Sequence, residues 1–166
     1  MKKITLLIIA LSFALNASSQ TVVDTAVSNK NFSTLVTALK AADLVGALSG
    51  EGPFTVFAPN NDAFAKIDSK TLNSLLEPAN IKALSNILTY HVVSGKLLAA
   101  DVANALKAGE GKAKLKSLNG QELTAISKYE KIYLIDAKGG MSEIIATDVI
   151  GTNGVIHVVD TVVMPE

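Results

Sequence analysis

The sequence predicts an α+β fold in which several helices pack on a mainly antiparallel sheet assembly. Two observations predict it. Apolar residues recur at helical spacing over much of the chain up to Leu106, and segment 32–39 follows an i, i+3, i+4, i+7 pattern. The last third of the chain instead has short β-type runs separated by turn residues. Helices and strands segregated in this way are typical of α+β domains.

The predicted helical segments, in chain order, are 21–27, 32–39, 44–48, 63–67, 72–76, 81–88 and 99–106. A first strand is predicted over 54–58, because a β-type run follows a Gly-rich break and stops at Pro59. The asparagines and aspartate of 60–62 are candidate caps for the turn that follows. A second, short strand is predicted over 91–93, where Ser94-Gly95 closes it.

The strand-rich last third has two turn signals. Asn119-Gly120 lies between two β-like runs and predicts a type I′ hairpin. After further strands at 132–135 and 143–147, Asn153-Gly154 introduces the longest β-type run of the chain, 155–164. Both faces of that run are largely apolar, which predicts a central strand.

The polar residues of this run, His157 and Asp160, must find hydrogen-bond partners if they are buried. We therefore interpret both as internal tethers that join the strand to neighbouring backbone.

The first 19 residues predict a signal peptide rather than part of the fold. Lys2 and Lys3 precede an apolar run, 4–15, that is shorter than the roughly 20 residues a membrane-spanning helix needs. Ala17 and Ser19 are small residues at −3 and −1, so we expect cleavage before residue 20. The expected product is one exported domain, 20–166, with no transmembrane segment, either periplasmic or extracellular.

Charge and composition exclude several classes of function. Residues 20–166 have 13 lysines, no arginine and 15 acidic residues, a net charge of −2. This balance argues against nucleic-acid binding, which depends on lysine and arginine at phosphates. The chain has no cysteine, so neither a disulfide nor a cysteine nucleophile exists.

The sequence also lacks the motifs of common catalytic and cofactor sites. His91 and His157 are the only histidines, and there is neither an HExxH nor a Gly-x-Ser-x-Gly motif. Gly109-Glu-Gly111 and Lys138-Gly-Gly140 lack the framing of phosphate-binding loops. We expect no catalytic residue, cofactor or metal, and we interpret the protein as a non-enzyme.

Four segments, in order and filling the chain after residue 19, resemble the fasciclin domain family. They are 24–26 (Asp-Thr-Ala) with 32–35 (Phe-Ser-Thr-Leu), 52–64 (Gly-Pro-Phe-Thr-Val-Phe-Ala-Pro-Asn-Asn-Asp-Ala-Phe), 90–95 (Tyr-His-Val-Val-Ser-Gly) and 152–165, which begins Thr-Asn-Gly-Val-Ile-His-Val-Val-Asp and ends Val-Met-Pro.

The resemblance implies a β-sandwich-like wedge of two sheets with packed helices. It also implies extracellular adhesion or matrix interaction, with a cell-surface or matrix protein or polysaccharide as partner. In animal matrix members the tyrosine–histidine segment is linked to integrin recognition, which points to Tyr90 and His91 here. The export signal and the lack of disulfides look bacterial, and bacteria have no integrin as a native partner. The resemblance therefore points to the segment as a contact site and does not identify its partner.

For Tyr90 and His91 two interpretations stay open. One is a contact with a partner, as the resemblance implies. The other is a structural role, in which the tyrosine ring packs at a helix end with its hydroxyl in water and His91 is a hydrogen-bonded core residue.

Lys112, Lys114 and Lys116 alternate along a predicted strand, which places them on one face. They are either a solvated face that protects an edge strand, or a weak contact for an anionic polymer such as cell-surface polysaccharide.

The sequence thus predicts a secreted adhesion or interaction module, with a small-ligand or lipid-binding module as the alternative. The second hypothesis depends on the high apolar content, 49% of residues, which leaves room for an apolar groove. Adhesion by a single copy would require weak self-association or anchoring by another component.

Overall fold

The structure is a computed structural model that describes residues 20–166. The predicted signal peptide, residues 1–19, lies outside the described residues. The α-helices, in chain order, are α1 (Val22–Ser28), α2 (Ser33–Ala41), α3 (Val45–Ser49), α4 (Asn61–Ala65), α5 (Ser69–Leu76), α6 (Ile81–Tyr90) and α7 (Ala99–Ala108). Two 3₁₀ turns, Lys30–Phe32 and Pro78–Asn80, precede α2 and α6. The strands are β1 (Phe54–Pro59), β2 (Val92–Ser94), β3 (Lys112–Lys116), β4 (Glu122–Lys128), β5 (Lys131–Ile135), β6 (Met141–Gly151) and β7 (Gly154–Val159).

Side-chain caps fix where the helices begin. Thr21 starts α1 with a capping box, in which its hydroxyl accepts from the Asp24 N–H at 3.2 Å and the Asp24 carboxylate accepts from the Thr21 N–H at 2.9 Å. After β1, the Asn60 side chain accepts from the Ala63 N–H at 2.8 Å and starts α4. Asn61 accepts from the Thr34 N–H at 3.1 Å, so it caps α2 from a distant part of the chain. The segment 52–64 is therefore a structural corner.

The strands form a sheet in the order β2-β1-β7-β6-β5-β4-β3. Neighbouring strands are antiparallel except β1 and β7, which run parallel. This confirms a mainly antiparallel assembly. It also confirms that β7 is central, with β1 on one side and β6 on the other.

The long strand β6 belongs to both halves of the sheet. Its first residues pair with β5, whereas its last residues pair with β7 and contain irregular register at two places. At the far ends of the order, β2 and β3 meet through a bridge between Val93 and Ser117 and a 2.8 Å hydrogen bond from the Leu118 N–H to the Val92 carbonyl. The two halves of the sheet, β2-β1-β7-β6 and β6-β5-β4-β3, share β6 and touch at these edges, which agrees with the predicted wedge.

Two hydrophobic clusters lie on opposite faces of the central strands. The first, which contains Val56, Ala58 and Ile156, packs against helices α1 to α6. The second contains Phe57 and Val159 and lies between the strands and α7. Burial on both sides explains why β1 and β7 are apolar at nearly every position.

Two predictions about the last third are wrong. The β3–β4 connection is not a type I′ turn, because Gly120 has a positive φ of 87° and Asn119 has none. The Gly120 N–H instead bonds to the Ser117 carbonyl at 3.0 Å, while the Asn119 amide is held by Asn86 at 3.1 Å. The predicted run 155–164 also ends as a strand at Val159, which leaves β6 as the longer strand.

Candidate functional site

The lysines of β3 lie together on the outer face of the sheet. Lys112, Lys114 and Lys116 are exposed, whereas Ala113 and Leu115 between them are buried in the second cluster. That cluster also contains Val102 and Leu106 of α7, so the helix covers the inner face of β3 and leaves the lysine face open. The predicted alternation is therefore correct, and β3 is the last strand in the sheet order.

One lysine of the three has an ionic partner. The Lys114 Nζ lies 2.8 Å from Glu122 Oε2, diagonally across from it on β4. The hydrogen bond to Glu122 and its charge raise the pKa of Lys114. Among residues 20–166, Lys112 and Lys116 form no ion pair. Exposed pairs contribute little to stability, so another carboxylate or a sulfate can replace Glu122 at low cost.

The expectation that the Tyr90 hydroxyl lies in water is wrong. Tyr90 has no exposed surface, and its hydroxyl donates to the Glu122 carbonyl at 3.0 Å. Burial raises the pKa of this phenol, which keeps the proton available for donation. The residue ends α6 and its ring belongs to the second cluster, where solvent and partners have no access.

His91 is buried as well, with 2% of its surface exposed. Its Nε2 accepts from the Val163 N–H at 3.1 Å, so Nδ1 carries the proton and donates to the Ile87 carbonyl at 2.8 Å. Burial lowers the pKa of His91 to about 4, with the Ile87 hydrogen bond acting in the opposite direction. The neutral ring thus joins the end of α6 to the last residues of the chain. Tyr90 and His91 offer no surface to a partner in this structure.

His157 and Asp160 serve as the predicted tethers. The His157 Nε2 donates to the Leu97 carbonyl at 2.7 Å, and its ring stacks on Phe57 with centroids 5.6 Å apart. Asp160 accepts from the Glu143 N–H at 2.8 Å and pairs with Lys66 at 3.1 Å. Burial opposes the charge of Asp160, but these donors hold its pKa below the usual value.

Within the part of the chain that the structure describes, no group of three or more His, Cys, Asp or Glu side chains is placed to hold a metal ion. The two histidines are each engaged with backbone groups. No helix among residues 20–166 is long and apolar enough to span a bilayer.

The structure connects the two candidate segments through a residue that the sequence did not single out. Glu122 accepts the Tyr90 hydrogen bond with its backbone and faces Lys114 with its carboxylate. The buried tyrosine therefore helps to fix the strand beside the lysines. No sequence signal pointed to this residue, because a two-residue turn at Asn119-Gly120 would pair Glu122 with Ser117 on the other face, whereas the observed register pairs it with Lys116.

Several open clefts lie on the surface of residues 20–166. One of about 490 Å³ separates the end of β2 from β3 and is lined by Leu97, Leu115, Leu118 and two of the lysines. A second, of about 390 Å³, lies beside α7 and includes Leu106 and Ile132. A third, of about 600 Å³, is formed by the loops around Gly52 and Asn153.

Comparison with known proteins agrees with this architecture. Residues 30–165 match the family described as the Fasciclin domain. Protein sll1483 of Synechocystis sp. (strain ATCC 27184 / PCC 6803 / Kazusa) is 50% identical over 154 residues, which cover 93% of this chain and 78% of that protein. Cell surface glycolipoprotein MPB83 of Mycobacterium bovis is 33% identical over 153 residues, covering 89% of this chain and 62% of the relative.

A FAS1 domain pair from the insect cell adhesion molecule Fasciclin I has a similar fold. It superposes with a TM-score of 0.75 at 19% identity, and the match covers 86% of this chain and 50% of that one. The likeness concerns the fold. With the family match over most of its length, the chain belongs to the fasciclin domain family.

Proposed function

We propose that this protein is an exported, non-catalytic adhesion module whose lysine face contacts an anionic cell-surface or matrix polymer. The lysine face consists of Lys112, Lys114 and Lys116. The observation that carries the proposal is an outer strand with three aligned, exposed lysines and a buried inner face that α7 covers. A relative named as a cell surface glycolipoprotein supports the class of function.

The lysine face favours a weak contact that many copies of the protein can make on one surface. A few exposed ion contacts support roughly millimolar affinity, and salt screens them beyond a Debye length of about 8 Å at physiological ionic strength. Attachment would then depend on many copies acting together, or on a dense anionic surface.

The export part of the proposal rests on the character of residues 1–19. The protein recovered from outside the cytoplasm should begin at Gln20, and intact-mass measurement of that protein would show it. An N-terminus still at Met1 on the exported protein would contradict cleavage. Residues 20–166 would then act as one domain, in the periplasm or beyond the cell.

A second candidate function is the binding of a small apolar ligand. The cleft of about 390 Å³ beside α7 supports it, because Ala103, Leu106 and Ile132 line it and its volume is at the lower end for ligand pockets. Mass spectrometry of organic extracts of the purified protein would detect a co-purifying ligand. A stoichiometric apolar compound would favour this function over polymer contact.

The test of the first proposal is a binding screen of the exported protein against surface glycans and cell-surface extracts at two salt concentrations. The test variant replaces Lys112, Lys114 and Lys116 by Gln. A matched control replaces three exposed helical lysines by Gln, which changes the net charge equally: Lys40, Lys70 and Lys82.

We expect binding that weakens with salt, is lost in the β3 variant and persists in the control. Equal losses in the two variants would mean that net charge, and not the lysine face, governs binding. Absence of any binding would contradict the anionic-polymer proposal and favour a dedicated uncharged partner or an apolar ligand.

A further inference from the structure

The edge of β3 that faces away from β4 presents backbone groups as well as lysines. The Ser117 N–H bonds to the Gln121 carbonyl at 3.0 Å, and the Ser127 N–H bonds to the Gly111 carbonyl at 3.1 Å. In an antiparallel pair, hydrogen-bonded residues alternate with residues whose backbone groups point the other way. With this register, Ala113 and Leu115 bond to β4, and the three lysines direct their N–H and C=O groups outward.

Contacts at both ends of β3 agree with this direction. The Lys112 N–H reaches out to the Gly109 carbonyl at 3.1 Å, and beyond the other end the Leu118 N–H reaches the Val92 carbonyl at 2.8 Å. Between them, within residues 20–166, the N–H groups of Lys114 and Lys116 point away from β4 and form no backbone hydrogen bond outside the sheet ladder. Residues 114–116 are therefore a short free strand edge, and the hydrogen bonds of Lys112 and Leu118 limit it at its two ends.

The cleft beside this edge has an apolar floor and a basic rim. About 490 Å³ in volume, it is lined by the apolar side chains of Val93, Leu97, Leu115 and Leu118, with Lys114 and Lys116 at its border. Leu118 is 42% exposed, so its side chain adds accessible apolar surface to this cleft. A chain lying here would meet apolar groups on its inner side and ammonium groups on its outer side.

We propose that this edge binds an extended peptide segment in which acidic and apolar residues alternate, added to β3 as a further strand. The proposal rests on the proposed function and names the partner class, an acidic protein segment. Alternate side chains of a strand point to opposite faces, so apolar residues would enter the cleft while carboxylates meet the lysines. The free Lys114 backbone groups favour a peptide over a polysaccharide, because a sugar chain has no N–H and C=O ladder with which to pair.

Lysines on an edge strand ordinarily oppose pairing with other strands. They repel a second copy of the same edge, since like charges directly opposite destabilise a sheet. An acidic strand removes that repulsion. The same three residues would therefore reject self-association along this edge and accept an acidic partner.

The test uses a capped octapeptide of alternating glutamate and valine, titrated into the ¹⁵N-labelled exported protein and followed by NMR. Two matched peptides have the same sequence, one with N-methylated glutamates and the other with N-methylated valines. All glutamate N–H groups of a strand lie on one edge and all valine N–H groups on the other. Strand addition to β3 uses one edge, so one of the two methylated peptides should lose binding and the other should retain it.

Amide exchange gives a second readout. In the free protein the Lys114 N–H should exchange faster than the Leu115 N–H, and the unmodified peptide should slow exchange at Lys114. Lys114→Gln removes the charge and keeps the N–H, whereas Lys114→Pro removes both at a place where proline costs no ladder bond. Lys114→Pro should weaken peptide binding by about fivefold more than Lys114→Gln, the factor expected for one backbone hydrogen bond.

Similar binding by the two methylated peptides, or no peptide-dependent slowing at Lys114, would overturn strand addition. The proposed function fails separately, in the glycan and extract screen with the triple-Gln variant. Salt-sensitive, lysine-dependent binding to a glycan together with peptide failure would leave the lysine face in place and make its partner a polysaccharide.

Discussion

The hydroxyl of Tyr90 donates a hydrogen bond to the backbone carbonyl of Glu122 across 3.0 Å, and the carboxylate of the same glutamate pairs with Lys114. A fully buried residue at the end of α6 is thereby connected to the exposed strand that bears the lysines. In this chain the tyrosine–histidine segment supports the candidate surface from inside and is no part of that surface.

Replacing Tyr90 by Phe should destabilise the fold and affect binding little. The Glu122 carbonyl loses its buried donor, which costs about 1–2 kcal/mol of unfolding free energy. Urea denaturation measures the change, and Tyr129→Phe is the control because Tyr129 is 80% exposed. Loss of polymer or peptide binding by a stably folded Tyr90→Phe protein would contradict a role for Tyr90 in stability alone.

Stability should fall as the pH decreases from about 6.5 to about 4, because His91 is neutral in the fold. Its folded pKa of about 4 lies below the unfolded value of 6.5, so the unfolded chain binds the extra proton first in this range. Stability from this group is complete above pH 6.5 and declines by on the order of 3 kcal/mol by pH 4. Denaturation at several pH values measures it.

The His91→Gln variant is the matched control for this pH dependence. Its amide oxygen can still accept from the Val163 N–H, but the side chain does not titrate. The variant should be less stable at pH 7 and should show a flatter profile between pH 6.5 and 4. The same slope in both proteins would assign the pH dependence to other groups.

His157→Ala and Asp160→Ala should lower the melting temperature more than they change any binding. The first leaves the Leu97 carbonyl without its donor and removes a ring stacked on Phe57; the second leaves the Glu143 N–H without its acceptor. A loss of about 2–4 kcal/mol is expected for the buried His157, and a smaller loss of about 1 kcal/mol for Asp160, whose side chain is 36% exposed. Calorimetry with a parallel binding assay separates the effects. Normal stability with selective loss of binding would contradict the tether role.

The double substitution Tyr129→Asn with Glu130→Gly should stabilise the β4–β5 hairpin and raise the free energy of unfolding. Both native residues have positive φ, 52° and 61°, and they join the paired residues Lys128 and Lys131 in a two-residue turn. Asn-Gly suits such a turn, and about 1–2 kcal/mol of added stability is expected. Leu118→Asn in the other hairpin, where φ is not positive, should give no such gain. Urea denaturation measures the change, and an unchanged or lower denaturation midpoint for the double variant would contradict the predicted gain in stability.

Hydrophobic periodicity predicted the helices well because each helix buries one face, and the spacing of apolar residues within its own segment defines that face. The spacing of Leu35 and Leu39 follows from one face of α2 packing on the first cluster, and a similar logic places α6. The central position of β7 was also readable, since a strand that separates two clusters must be apolar on both faces.

The turns were harder to predict because distant residues decide them. Asn119-Gly120 has the composition of a type I′ turn, but Asn86 of α6 binds the Asn119 amide, and the loop closes through Ser117 instead. The type I′-like turn occurs at Tyr129-Glu130, where the sequence has no glycine that would predict such a turn. Likewise, β7 ends at Val159, before the polar Asp160 and Thr161, although apolar residues resume at Val162 and continue to Met164.

At the candidate site, the sequence predicted the alternation of the lysines but not their surroundings. Strand period alone gives one face to Lys112, Lys114 and Lys116. The burial of Tyr90 and the engagement of Glu122 depend on how α6 packs against β4, which no local pattern encodes. The cleft beside β3 arises where two strands distant in sequence meet at Val93 and Ser117.

The most direct measurement of the central claim is the affinity of the exported protein for its anionic partner as a function of salt concentration. The wild-type protein is compared with the β3 triple-Gln variant and the helical triple-Gln control. We predict a steep loss of affinity with salt for the wild type and the control, and a weak, nearly flat response for the β3 variant. A β3 variant that binds like the wild type at every salt concentration would contradict the assignment of the lysine face as the contact surface.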